Sequence, residues 1–164
     1  MLTRREVLNG AACAVAATLA TRVLAPVAAR AATDDTVTHT DAEWRKMLSA
    51  DQYAVLRQEG TERPFTSPLL HEERAGVFSC AGCDLPDFSS KTKFDSGTGW
   101  PSFWAPLDNA VSTKEDTSFG MTRSAVLCRR CASHLGHVFD DGPKPTGLRY
   151  CMNGLALKFV PDAA

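Results

Sequence analysis

The chain has 164 residues, a length that suits one domain, and its 44% hydrophobic and 23% charged content is that of a folded globular protein, not a disordered or fibrous one. Residues 1–31 carry Arg4, Arg5, Arg22 and Arg30 against Glu6, a balance of +3, so the net charge of −1 leaves −4 on residues 32–164. A mildly acidic body has no field for holding phosphates, which argues against nucleic acid as a partner.

The N-terminus reads as an export signal. Arg4 and Arg5 precede an Ala/Val/Leu-rich run from Gly10 to Ala29, followed by small residues around Ala29 and Ala31. A basic start, a short apolar run and an A-x-A site define a secretory signal, and adjacent arginines resemble the twin-arginine type. Cleavage near Ala31 and a periplasmic location are expected. A membrane anchor is the competing reading, but Arg22 and Pro26 interrupt the run, which falls short of the ~20 apolar residues a span needs. No stable membrane insertion is expected after cleavage, and Cys13 leaves with the signal.

Residues 32–40 are polar and threonine-rich and read as a flexible lead to a domain over 41–162. Asp41 reads as a helix cap, with Trp44, Met47 and Leu48 at helical spacing behind it. Ser49 to Gln52 has the form of a capping box for a second helix, with Tyr53 and Leu56 on one face and Gly60 as its stop. Beyond Gly76 the chain is punctuated by Gly, Pro and Asp. Runs of strand formers occupy 76–80, 110–113, 121–127, 148–152 and 155–159. The expectation is a small antiparallel β-domain behind short N-terminal helices.

Six cysteines fall as Cys13, two Cys-x-x-Cys pairs (Cys80 with Cys83, Cys128 with Cys131) and Cys151. Each pair follows a strand-like run and can present two thiolates from one turn, so four sulfurs could close a tetrahedral zinc site with no open position for substrate. Local disulfides or redox-active pairs are the alternative in an exported protein. A four-cysteine site also accepts iron. Cys151 is left without a partner. Arg149 stands two residues before it, and nearby arginine or protonated histidine lowers a thiol pKa. Free cysteines are also commonly buried, so spacing alone leaves nucleophile and core residue as equal readings.

Polar groups unusual for a β-core gather in three segments: 94–103, 134–142 and 148–154. Gly-Trp-Pro-Ser-Phe at 99–103, His-Leu-Gly-His-Val-Phe-Asp-Asp-Gly-Pro at 134–143 and Arg-Tyr-Cys-Met-Asn at 149–153 occur in order with the two Cys-x-x-Cys pairs. Together with Gly-Thr-Glu-Arg-Pro-Phe-Thr at 60–66 they resemble B-type methionine sulfoxide reductases over essentially the whole chain from Asp41 to Val160.

The resemblance implies a mainly β fold of two small antiparallel sheets, of β-tent type, with short N-terminal helices and a four-cysteine zinc site. It implies Cys151 as nucleophile, with His134, His137, Arg149 and Asn153 as polar catalytic residues. Trp100 and Phe103 would contact substrate, with Asp141 as a supporting acid. The substrate would be the R epimer of methionine sulfoxide in oxidised proteins and peptides. A sulfoxide sulfur becomes electrophilic when its oxygen is protonated, so imidazole would supply the acid opposite the thiolate. Attack leaves a sulfenic acid on Cys151. Many members of that family carry a resolving cysteine where this chain has Thr98. Regeneration is therefore expected to depend on an external thiol, either thioredoxin-like or small-molecule, acting on a monomeric enzyme.

Overall fold

In the computed structural model, which describes residues 36–163, the first element is helix α1, Asp41–Met47. The signal over 1–31, with Cys13, and the start of the polar lead lie outside the described residues. The remainder of that lead is tied down: Val37 donates its backbone N–H to Arg130 O at 2.9 Å, and the His39 ring meets Trp44 edge-on. The cap of α1 is Thr40 and not Asp41. Thr40 and Glu43 form a reciprocal capping box, which frees Asp41 to accept from Tyr53 Oη and Arg45. Helix α2, Ala50–Gln58, is capped by Ser49 and Gln52 as expected. Its left-handed stop falls on Glu59, one residue before Gly60. Gly60 is needed beside it because a Cβ there would lie 2.9 Å from Ala54 O.

Among the described residues nine strands follow. β1 (Gly76–Cys80) pairs with β2 (Pro86–Ser89) on one side and with β9 (Leu157–Pro161) on the other, giving a three-stranded antiparallel sheet. The second sheet contains β3 (Lys93–Phe94), β4 (Ser102–Phe103), β5 (Val111–Asp116), β6 (Arg123–Cys128), β7 (His134–Phe139) and β8 (Arg149–Met152). Its order is β3-β4-β8-β7-β6-β5, also antiparallel. The expected two-sheet architecture is present. Strands β2, β3, β4 and β7 were not anticipated, because their sequences are two-residue fragments or are rich in Pro, His and Gly, which are weak strand formers.

The two sheets meet through aromatic rings. Phe78 and Phe88 of the smaller sheet pack on Phe103 of the larger, with Phe88 and Phe103 stacked at 4.5 Å between centroids. All three are fully buried. Each such ring contributes about 1.5–3 kcal/mol by leaving water. Helix α2 closes the other side of the core with Val55 and Leu56, packing on β7 and on the turn Gly154–Ala156. Among the described residues no helix is long and apolar enough to cross a membrane.

Candidate active site and four-cysteine cluster

Strand pairing assembles the site. Cys151 on β8 is the direct cross-strand partner of His137 on β7 and of Ser102 on β4. Directly opposed residues of an antiparallel pair hold their Cβ atoms about 4.5–5.5 Å apart on the same face of the sheet. The Cys151 thiol and the His137 imidazole are thereby juxtaposed by register. Strand alternation also decides the neighbours. Ser102 shares the Cys151 face, so Phe103 points the other way, into the aromatic core. This corrects the expectation that Phe103 contacts substrate.

His134 and His137 are three residues apart and would face opposite sides of a regular strand. A β-bulge intervenes: Val126 pairs with Gly136 and Leu127 with His134, leaving Leu135 as the extra residue. Both histidines therefore turn to one face, with ring centroids 5.2 Å apart, while Leu135 goes into the core. Gly136 lies between them where β7 and β8 approach so closely that a Cβ would meet Cys151 O at 2.1 Å.

A cavity of about 160 Å³ opens over this face. Cys151, His137 and Asn153 line it with Trp100 and Phe139 as aromatic walls and Thr61, Arg123 and Gly136 completing the rim. His134 is not part of the lining. It is 2% exposed, neither ring nitrogen has a hydrogen-bond partner, and burial pushes its pKa down to about 4, so it is neutral at pH 7. The two histidines expected to act together thus occupy different environments.

The remaining polar residues are arranged differently from the expectation. Asn153 lines the cavity while both ends of its amide engage other chain segments. Its Oδ1 accepts from Glu62 N at 3.0 Å and its Nδ2 donates to Leu135 O at 3.1 Å, which makes it a strut between chain segments. Arg149 stacks over Phe139 and forks onto Asp141, with both contacts at 2.8 Å. Asp141 thus acts on Arg149. With its charge largely met by Asp141, Arg149 does not depress the Cys151 thiol below its ordinary value. Burial pushes that thiol up, and the Thr98 hydroxyl, then Arg149, only partly oppose it. Cys151 therefore rests as a protonated thiol near neutral pH.

Thr98 stands beside Cys151. Its Oγ1 is 3.9 Å from Cys151 Sγ and continues into a chain of hydroxyls through Ser96 to Ser102. Among the described cysteines, the other four converge elsewhere.

Glu62 was missed by sequence reasoning, since its role depends on contacts 91 to 93 residues away. Its carboxylate accepts from Gly154 N (2.5 Å) and Leu155 N (3.0 Å), and its backbone O accepts from Trp100 Nε1 (3.1 Å). One residue therefore braces the Trp100 wall and the turn after Cys151. Glu62→Ala leaves the buried Gly154 N–H and the half-buried Leu155 N–H unpaired and is expected to lower unfolding free energy by about 2–5 kcal/mol in urea titrations. An unchanged midpoint would show that the turn does not depend on it.

The four-cysteine cluster joins the end of β1 to the end of β6. Sγ atoms of Cys80, Cys83, Cys128 and Cys131 all lie within 4.8 Å of one another. Cys80 faces Cys131 at 3.6 Å and Cys83 faces Cys128 at 3.5 Å. These distances are far beyond the ~2.05 Å of a disulfide and close to the ~3.8 Å edge of a tetrahedron with 2.3 Å metal–sulfur bonds. Each knuckle closes alike, with a left-handed residue four after its first cysteine, Asp84 in one and Ala132 in the other. Arg57 of α2 donates to Cys131 O, anchoring the helix on the cluster. The donor set fits a structural metal.

The SelR-domain family model matches residues 48–161. The chain is 59% identical over 120 residues to the peptide methionine sulfoxide reductase MsrB of Pseudomonas putida (strain W619), covering 73% of this chain and 90% of that protein. Similar relationships hold with the MsrB proteins of Bradyrhizobium diazoefficiens, 53% identical over 83% of this chain and 99% of the relative, and of Methanosarcina barkeri, 55% identical over 77% and 89%.

Proposed function

The chain belongs to the SelR-domain family of MsrB-type methionine sulfoxide reductases, and from that premise we propose that it reduces the R epimer of methionine sulfoxide in oxidised exported proteins, using Cys151 as nucleophile in a one-cysteine cycle. The observation that carries this reading is the direct pairing of Cys151 with His137 at the floor of a cavity walled by Trp100 and Phe139.

The apolar walls suit the S-methyl group, and the polar floor suits the sulfoxide oxygen. Placing the two on opposite sides of a chiral sulfur is how a pocket separates epimers. In the reaction the oxygen passes from the substrate sulfur to Cys151 Sγ. The substrate sulfur gains two electrons and Sγ loses two, ending as a sulfenic acid that keeps the thiol hydrogen. His137, which lines the cavity, carries that proton to the sulfoxide oxygen, whereas His134 lies neutral behind it.

With threonine at 98, the sulfenic acid condenses with an external thiol to give a mixed disulfide and water, and a second thiol then releases Cys151. A thioredoxin-like protein or a small thiol fills this role. Zinc is the ion proposed for the four cysteines, where Cys80, Cys83, Cys128 and Cys131 would hold it as a closed structural centre. Export by the twin-arginine route to the periplasm rests on the N-terminal residues and suits a domain that folds around metal before translocation.

The test is an assay of purified protein on separate R and S epimers of a peptide sulfoxide with dithiothreitol. Turnover of the R epimer alone is expected, with a dimedone adduct on Cys151 of the oxidised enzyme and no intramolecular disulfide. Equal turnover of both epimers, or an adduct absent from Cys151, would overturn the reading.

A further inference from the structure

Asp116 lies outside the motifs that mark the site. It ends edge strand β5, opposite Arg123 on β6, and His137 is opposite Ala125 on the same strand. Positions 123 and 125 share a face, so Asp116 and His137 lie diagonally across β6, over Arg123 and Ala125. The imidazole crosses that gap: His137 Nε2 is 2.8 Å from Asp116 Oδ2. Arg123 Nη2 donates to the same oxygen at 2.6 Å, and Ser118 N donates to Oδ1 at 2.9 Å. Both partners are shielded, with side-chain exposures of 11% for His137 and 13% for Asp116.

The chemistry of this contact has one direction. Hydrogen bonds from Ser118, then that from His137, hold the Asp116 carboxyl well below its ordinary range, so it is ionised and has no proton to give. The hydrogen in the short contact therefore belongs to Nε2. That leaves Nδ1 of the neutral ring as a lone-pair acceptor and, once protonated, as a donor. A buried thiol that rests protonated needs such an acceptor, and the sulfoxide oxygen needs such a donor.

We propose that Asp116 is a positioning residue that fixes His137 in its Nε2–H tautomer and presents Nδ1 to the cavity, where it takes the proton of Cys151 Sγ and passes it to the sulfoxide oxygen. The proposal rests on the reading of Cys151 as a sulfoxide-reducing nucleophile. Arg123 donates to that same oxygen, so Asp116 on β5, Arg123 on β6 and His137 on β7 form one fixed cluster across three strands. The proton leaves Sγ, resides on Nδ1 while the imidazolium faces Asp116, and ends on the departing oxygen.

Asp116→Asn, nearly the same size, is the deciding variant. Its kcat on the R-sulfoxide is expected to fall between about 10- and 1,000-fold, with KM changed less than about threefold. The long-range 15N spectrum of His137 is expected to show Nε2–H in the parent and a mixed or Nδ1–H tautomer in the variant, with thermal midpoint and metal content retained. Asp116→Glu is expected to restore part of kcat together with the Nε2–H form. A parent-like kcat in Asp116→Asn overturns the proposal, and so does a lost kcat with the tautomer unchanged. The tautomer is read in resting protein, so an enzyme without sulfoxide reductase activity would refute the functional reading while leaving this contact separately decided.

Discussion

Stripping metal from the four-cysteine cluster is expected to unfold the domain rather than slow the enzyme. The cluster ties the β1–β2 turn to the β6–β7 turn, and Arg57 hangs α2 on the same knuckle through Cys131 O. Binding to such a site contributes about 10–16 kcal/mol in small zinc peptides, as much as or more than the 5–15 kcal/mol by which whole domains are stable. Without an ion, three buried sulfurs and the half-buried Cys83 must take up protons or repel one another at 3.5–3.6 Å. Treatment with a strong chelator should release one metal per chain and lower the thermal midpoint by at least about 15 °C, with near-ultraviolet circular dichroism lost. Cys128→Ala should do the same without chelator. Chelated protein that keeps its midpoint would show that the knuckles hold themselves.

The second large effect concerns Asp87 on β2. Its side chain is fully buried, and neither carboxylate oxygen has a hydrogen-bond partner. Burial, reinforced by the nearby Cys83 and Cys131 sulfurs, raises its pKa from 3.8 to about 8. Between the two values the folded chain holds a proton that the unfolded chain has released, so stability falls as pH rises, by about 1.4 kcal/mol per unit. By pH 7 the accumulated loss is roughly 4 kcal/mol. Asp87→Leu removes it. The variant should be more stable than the parent by roughly 3–5 kcal/mol at pH 8 and by little at pH 4.5, measured as guanidinium unfolding at both values. A gain independent of pH would mean that shape, not charge, is at fault.

Asp87 also shows where sequence reading stops. An aspartate between Pro86 and Phe88 reads as turn chemistry, and only the pairing of Phe78 with Phe88 turns this strand into the core. The same division holds through the site. The helix caps were legible apart from a one-residue displacement at Thr40 and at Glu59, because caps close hydrogen bonds over three or four residues. The two Cys-x-x-Cys pairs were legible for the same reason, and their convergence followed from the valence of a tetrahedral ion. The lone cysteine was legible by counting.

Local chain chemistry thus accounts for the caps, the knuckles and the inventory of reactive groups. How those groups are arranged depends on long-range strand register. The Leu135 bulge put two histidines on one face, strand alternation sent Phe103 to the core, and Asp141 engaged the arginine expected to activate Cys151. Asn153 became a strut to Glu62, and Asp116 reached His137 across β6. The physical reason is common to all five. A side chain's chemistry belongs to its residue, but its direction and its charge environment come from register, which is set by strands far apart in the chain.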